Sequence, residues 1–380
     1  MDWFTNSKTS EIKKLISQLA DLTKRDNAAR ELLKFGTDAI PVLIETLQSE
    51  NDNLVLPCQH LLARIPSASP QLIHALQTAH PLVRGRVVEI FSISKDKNAI
   101  PALIEALNGE FYTVRSRSAI ALGYIGDSKY ISNLLPLLKD KEDEVRIAAC
   151  IALGLFKDPN TFEKIGDVLL DDPKIEVRQA AAKALGDTKH PHAIQYLMEA
   201  LRDSFWWFER EDIVKDLLNA IENMGEAVVE PLIEALTDKE KTVRKYSAMM
   251  LGNLKDARSV EELGMTLYDL HDEVSLVAAE SLAQIGEASI PVLTEALTHP
   301  EVGVREHAVY GLGKIQNERV IPFLVEMLKD NDRLVQKQAI LSLRNFKNEL
   351  AISALKEVVS NRSDREFHNL AKQMLENQNN

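Results

Sequence analysis

The feature that most constrains this chain is that it repeats itself. Val83-Arg84, Val114-Arg115, Val145-Arg146 and Val177-Arg178 recur at intervals of 31, 31 and 32 residues. Val243-Arg244 and Val304-Arg305 continue the series, and Leu54-Val55, Ile213-Val214, Val274-Ser275 and Val335-Gln336 hold the same register. A fixed period of this length means one supersecondary unit copied many times. Such a unit cannot bury its apolar face alone and must stack on its neighbours. The usual expectation of two or three separate domains for 380 residues therefore gives way to one stack growing along a single axis.

Two further markers say what the unit is. Eight residues after the arginine position stand Gly123, Gly154, Gly186, Gly252 and Gly313, each preceded by Leu. Ile-Pro openings stand at Ile40-Pro41, Ile100-Pro101, Ile290-Pro291 and Ile321-Pro322. Proline suits the first turn of a helix, where its missing N–H would be unpaired anyway. A first helix of about ten residues starts there, with apolar positions three and four apart. A polar link such as Lys139-Asp140-Lys141-Glu142-Asp143 follows, and its acids suit a helix N-terminus. A second helix starts near the Val-Arg pair and ends at a turn such as Ile125-Gly126-Asp127.

This pattern resembles HEAT repeats, in particular the short-repeat family of the phycobilin lyases. The carrying residues are the Ile-Pro openings, the Val-Arg pairs and the Leu-Gly endings. The resemblance implies an all-α fold, an α-α superhelix or HEAT-repeat solenoid of eleven or twelve two-helix repeats. Residues 1–380 then form one solenoid. Residues 1–36 are an N-terminal capping repeat, with Trp3 and Phe4 over the first core, 37–347 are central repeats, and 348–380 are a polar C-terminal cap.

Comparing repeats with one another separates packing from surface. Three residues after the arginine position the row is Val87, Ser118, Ala149, Ala181, Leu217, Ser247, Ala278, Ala308 and Ala339. Seven after, it is Phe91, Leu122, Leu153, Leu185, Ile221, Leu251, Leu282, Leu312 and Leu343. Both read as core, small where helices approach closely. The rows one and five residues after mix charge, amide and apolar types. They share a face of the second helix, being four apart. The resemblance implies that second helices line the concave side, so Ile120, Ile147, Ile151, Met249 and Tyr310 become candidate partner contacts. Packing between repeats is the alternative reading of the same residues.

The row Arg84, Arg115, Arg146, Arg178, Arg244 and Arg305 admits two readings. It could bind anionic ligands, or form a structural ladder to acids of the links, with Asp140, Asp143, Asp171, Asp172 and Asp238 as partners. The ladder is the stronger reading, because acids accompany most of these arginines.

The period breaks once, by about five extra residues between Arg178 and the next slot. The irregular segment is 203–212, with Phe205, Trp206, Trp207, Phe208 and Arg210 in its middle. Irregularity inside a regular array is where function is expected, and Trp and Arg are favoured interface anchors. A plug filling the gap left by altered spacing is the competing account.

Charge and motif content narrow the function. Lys and Arg number 45 against 57 Asp and Glu, a formal charge of −12. That argues against nucleic acid and for a protein partner bearing a basic patch. Two cysteines suit a reducing compartment, and with no signal-like or membrane-length apolar run the expected location is the cytoplasm. Phosphate-binding glycine loops, zinc-helix motifs and nucleophile elbows are absent from the sequence, and no metal or catalytic residue is assigned. His190-Pro191-His192 is the one close histidine pair and reads as a solvated turn. No His-Glu dipeptide occurs, which separates the chain from the HEAT-built deoxyhypusine hydroxylases. The acidic balance separates it from the HEAT-like alkylpurine DNA glycosylases. The leading expectation is a non-catalytic interaction scaffold without cofactor. The resemblance supplies an alternative: a phycobilin lyase or bilin-handling chaperone, holding a linear tetrapyrrole with arginines on its propionates.

Overall fold

The computed structural model describes residues 2–203, 211–361 and 364–378. The chain forms two compact units, Met1–Ala200 and Leu201–Asn380. Both are built of helical hairpins. In the first unit the hairpins include Ile40–Thr46 with Asp52–Ala63, Ser69–Thr78 with Pro81–Ser94, and Ile100–Ala106 with Tyr112–Ile125. Two more pair the segment from Ile131 to Lys139 with Asp143–Phe156, and Phe162–Asp171 with Ile175–Thr188. In the second unit Val229–Ala235 pairs with Lys241–Leu254, Val260–Thr266 with Asp272–Ile285, Ile290–Ala296 with Val302–Lys314, and Ile321–Met327 with Arg333–Leu343. No strand occurs among the described residues. Within each unit second helices pack on second helices and first helices on first, giving an α-α superhelical stack of two layers.

The local chemistry explains the element boundaries. Each of these hairpins opens with a 3-10 turn before its first helix, as at Lys97–Ala99 before Ile100–Ala106. The first helix is therefore shorter than the ten residues that the Ile-Pro openings suggest. The reason lies just upstream. Asp96 accepts from the Asn98 N–H at 2.9 Å, and Asp158, Asp256 and Asn317 do the same two residues ahead at 3.0, 2.9 and 2.9 Å. The side chain starts the coil early and tightly. Five second helices end in a left-handed residue, Gly126 at φ 77° in one repeat and Lys95, Lys157, Lys189 and Lys255 at φ 52–54° in the others.

Packing follows the two invariant rows. All residues three and seven after the arginine position are buried. Each fully buried Leu or Phe contributes about 1.5–3 kcal/mol. The Leu-Gly endings mark contact between neighbouring second helices. A Cβ on Gly123 would lie 2.9 Å from the Cα of Ala152, and one on Gly154 would lie 2.8 Å from the Cβ of Ala184. Gly252 meets Ser281 and Gly313 meets Ser342 in the same way.

Candidate interaction surface

The arginines are engaged inside the fold. Arg115 donates from Nε and Nη2 to the two carboxylate oxygens of Asp140, both at 2.9 Å. Arg146 does the same to Asp172 at 2.6 and 3.0 Å, and Arg305 to Asp330 at 2.8 and 2.8 Å. Arg244 grips Asp269 in the same two-pronged way. Each of these arginines also donates from Nη1 to carbonyls of its own link, as Arg146 does to Asp140 at 2.9 Å. An aspartate such as Asp140 thus serves two repeats. Its carboxylate takes the arginine before it, and its carbonyl takes the arginine after it. Asp172 repeats the arrangement, its carbonyl accepting from Arg178 Nε at 2.7 Å.

Burial alone would raise the Asp140 and Asp269 carboxyls. The hydrogen bonds from Arg115 and Arg244 and from backbone N–H groups outweigh it and hold both below the usual carboxylate range. At Asp330 the Arg305 hydrogen bonds are the largest influence and act in the same direction.

Arg84 differs. It donates to the carbonyls of Ala79 and Gln77, because Gly109 stands 25 residues on, where Arg115 finds Asp140. Asp269 and Asp330 escape a reading confined to one link at a time, yet each stands 25 residues after its arginine, as Asp140 does after Arg115, and that spacing is the signal that finds them. Asp143 and Asp171 sit beside the true acceptors and take no arginine among the described contacts.

The face left open by the second helices is different in the two units. In the first, Ile120 on Tyr112–Ile125 and Ile147 on Asp143–Phe156 are half-buried, and Ile151 is 37% exposed. The same face continues one turn further, through residues that the repeat comparison does not single out. Ile93 is 47% exposed, Tyr124 46% and Leu155 43%. The i, i+4 step from Ile120 and Ile151 would have found the last two. The six residues form an apolar strip across three adjacent helices. Ion pairs close both ends. Glu89 holds Arg117 at 3.2 Å and accepts from Gln59 at 2.6 Å on one side, and Lys183 meets Asp187 at 3.1 Å on the other.

In the second unit Met249 and Tyr310 lie half-buried on helices separated by Asp272–Ile285. The Tyr310 hydroxyl donates to Glu280 at 3.0 Å, and the Lys314 ammonium sits 5.2 Å from its ring centre. They do not join into a strip. Phe205, Trp206, Trp207, Phe208 and Arg210 lie outside the described residues, as do the side chains of Trp3 and Phe4.

Cys58 and Cys150 are buried, and burial pushes both thiols up to about 12, which leaves them protonated and inert. His190 packs edge-on to Phe162 at 5.4 Å and accepts from the His192 N–H at 3.2 Å, a turn-capping role. Among the described residues, no group of three or more His, Cys, Asp or Glu side chains is placed to hold a metal ion. None of the described helices is long and apolar enough to cross a membrane.

A family model described as HEAT repeats matches residues 69–146, 100–173, 131–218, 229–303 and 290–376. No curated protein matches the chain. Among solved structures, Kap121p bound to Pho4p is similar at 17% identity and a TM-score of 0.58, over 97% of this chain and 48% of that one. Kap121p bound to Nup53p gives 16% and 0.58 over 97% and 48%. The karyopherin Kap121p bound to the extreme C-terminus of the protein phosphatase Cdc14p gives 16% and 0.57 over 97% and 49%. The chain spans about half the length of these structures, and at such identity the likeness is one of fold. With the repeat model covering most of the sequence and helical hairpins stacked throughout both units, the chain belongs to the HEAT-repeat family.

Proposed function

We propose that this protein is a non-catalytic scaffold or adaptor, and that the second-helix face of the first unit is its docking surface. The observation that carries this is the apolar strip of Ile93, Ile120, Tyr124, Ile147, Ile151 and Leu155 between two closed ion pairs. An apolar centre with a polar rim is the anatomy of a protein interface. The close approach of second helices at the glycines supports placing this face on the inner, concave side of the stack. Kap121p, similar in fold, is crystallised with protein partners. The net charge of −12 favours a partner with a basic patch over nucleic acid. Two buried, protonated thiols suit a reducing, cytoplasmic setting. The bilin-handling alternative calls for arginines free to meet propionates, and four of the row are instead clamped by aspartates.

The test is affinity capture from the native host with the wild-type chain and with Ile151→Asp/Leu155→Asp. Both side chains already touch solvent, so the chain should stay folded at a modestly lower melting temperature, read by circular dichroism, while a discrete partner is lost by tenfold or more. Unchanged capture would remove the strip from the interface. Trp206→Ala/Trp207→Ala should weaken capture by about 2 kcal/mol if those rings are anchors. A lower melting temperature with full capture would make them a plug.

A further inference from the structure

The acidic surplus is not shared evenly. Met1–Ala200 carries 24 Lys and Arg against 26 Asp and Glu, and Leu201–Asn380 carries 21 against 31. Residues 251–300 concentrate it, with 2 basic residues against 9 acidic ones. Within that stretch lies a groove of about 570 Å³ in the first-helix layer, away from the second-helix face. Its walls are Val260–Thr266 and Ile290–Ala296. Gly264 brings them together, since a Cβ there would lie 3.0 Å from Val292.

Comparison with sister grooves shows what is particular to this one. The sixth residue of the first helix is glutamate at Glu45, Glu105, Glu234, Glu295 and Glu326. Glu45 meets the Lys13 ammonium at 3.5 Å, and Glu105 accepts from the Gln77 amide at 3.2 Å. Those two grooves supply their own donor from the preceding repeat, whereas Glu234 and Glu326, like Glu295, have none among the described contacts. At Glu295 the place of Gln77 is taken by Tyr268, whose ring packs against His299 at 4.9 Å. A second carboxylate, Glu261, projects from the opposite wall, and neither glutamate has an ion-pair partner among the described contacts. Arg258 also lines the groove, and its charge is already taken by Asp256 at 2.7 Å and by Glu226 and Glu230 at 3.5 Å each. Met265, 64% exposed, and the Tyr268 ring add an apolar side to the groove.

We propose that this groove receives an arginine side chain of a protein partner, its guanidinium between Glu261 and Glu295 and its flat face on Tyr268 and Met265. Arginine suits the site better than lysine. Its planar fork can reach two carboxylates on opposite walls, it stacks on an aromatic ring, and it gives up water more easily. The assignment rests on the reading of the chain as the binder of a basic-patched protein, and adds a second contact, made by first helices instead of second ones.

The test uses the full chain with ¹³C-methyl methionine, the Met265 signal being identified by its loss in Met265→Leu. The probes are acetyl-Gly-Arg-Gly-amide and its lysine analogue, at millimolar concentration. The arginine peptide should move the Met265 methyl signal progressively, and the lysine peptide several-fold less. Glu261→Gln/Glu295→Gln should cut the response at least fivefold. The charge-matched control Glu326→Gln/Glu357→Gln, both outside the groove, should keep it. A silent Met265 signal, equal loss in both double variants, or an equal response to lysine would overturn the assignment. The peptide titration needs no native partner. Failure of the capture experiment and failure of this one are therefore separate results.

Discussion

Two serines carry a cost that their neighbours in the same row avoid. Ser118 and Ser247 occupy the position held by alanine at 149, 181, 278, 308 and 339, and their buried hydroxyls have no hydrogen-bond partner. Leaving a buried hydroxyl unmatched costs on the order of 1–3 kcal/mol. Ser118→Ala should therefore raise stability by about 1 kcal/mol, read as a higher denaturant midpoint at unchanged slope; a fall would mean the hydroxyl is matched after all. The ladder aspartates make an opposite contribution that depends on pH. Asp140, Asp269 and Asp330 have folded values below their unfolded ones. Their stabilisation is complete above the unfolded value of about 3.9 and is lost as pH falls through the lower folded values. Denaturant midpoints should be flat from neutral down to about pH 5 and drop steeply below about pH 4. Asp330→Asn should flatten part of that drop. The arginine row was legible because it recurs in the letters. The choice among adjacent acids was not, because Asp171 and Asp172 differ only in which way the link turns.

Second helices touch through glycine, and that contact leaves no room. Gly154→Ala would put a methyl 2.8 Å from the Ala184 Cβ and 3.2 Å from its carbonyl oxygen. Overpacking of this kind costs about 1–3 kcal/mol, more than the helix propensity of alanine returns. The variant should melt lower; a higher melting point would show that the layers can part freely. This element was readable from Leu-Gly alone, since a small residue repeated at one helical position has few other uses. The first helix was read less well. Proline signals where a helix can begin, whereas the aspartate four or five residues upstream decides where the chain starts to coil.

At the scale of the molecule, each repeat is held by its neighbours, so damage should stay local. Arg146→Met leaves Asp172, a buried carboxylate, without its main partner, at a cost of about 3 kcal/mol or more. Hydrogen exchange should quicken in Asp143–Phe156 and Ile175–Thr188 while Lys241–Leu254 keeps its protection. Equal loss in both units would contradict nearest-neighbour cohesion. The all-α stack is legible in the periodicity of the letters alone. The extent of the apolar strip is not, because exposure at Ile93, Tyr124 and Leu155 depends on what the next helix covers. The shared aspartate has a last consequence. One half of each clasp lies in one copy of the hairpin and the other half in the next, so neither is complete within a single copy. A gene segment duplicated whole restores every clasp wherever the cut falls. A segment copied out of phase leaves an arginine facing the wrong residue. The hydrogen bonds thus act as a reading frame for the growth of the array, admitting whole hairpins and rejecting fractions.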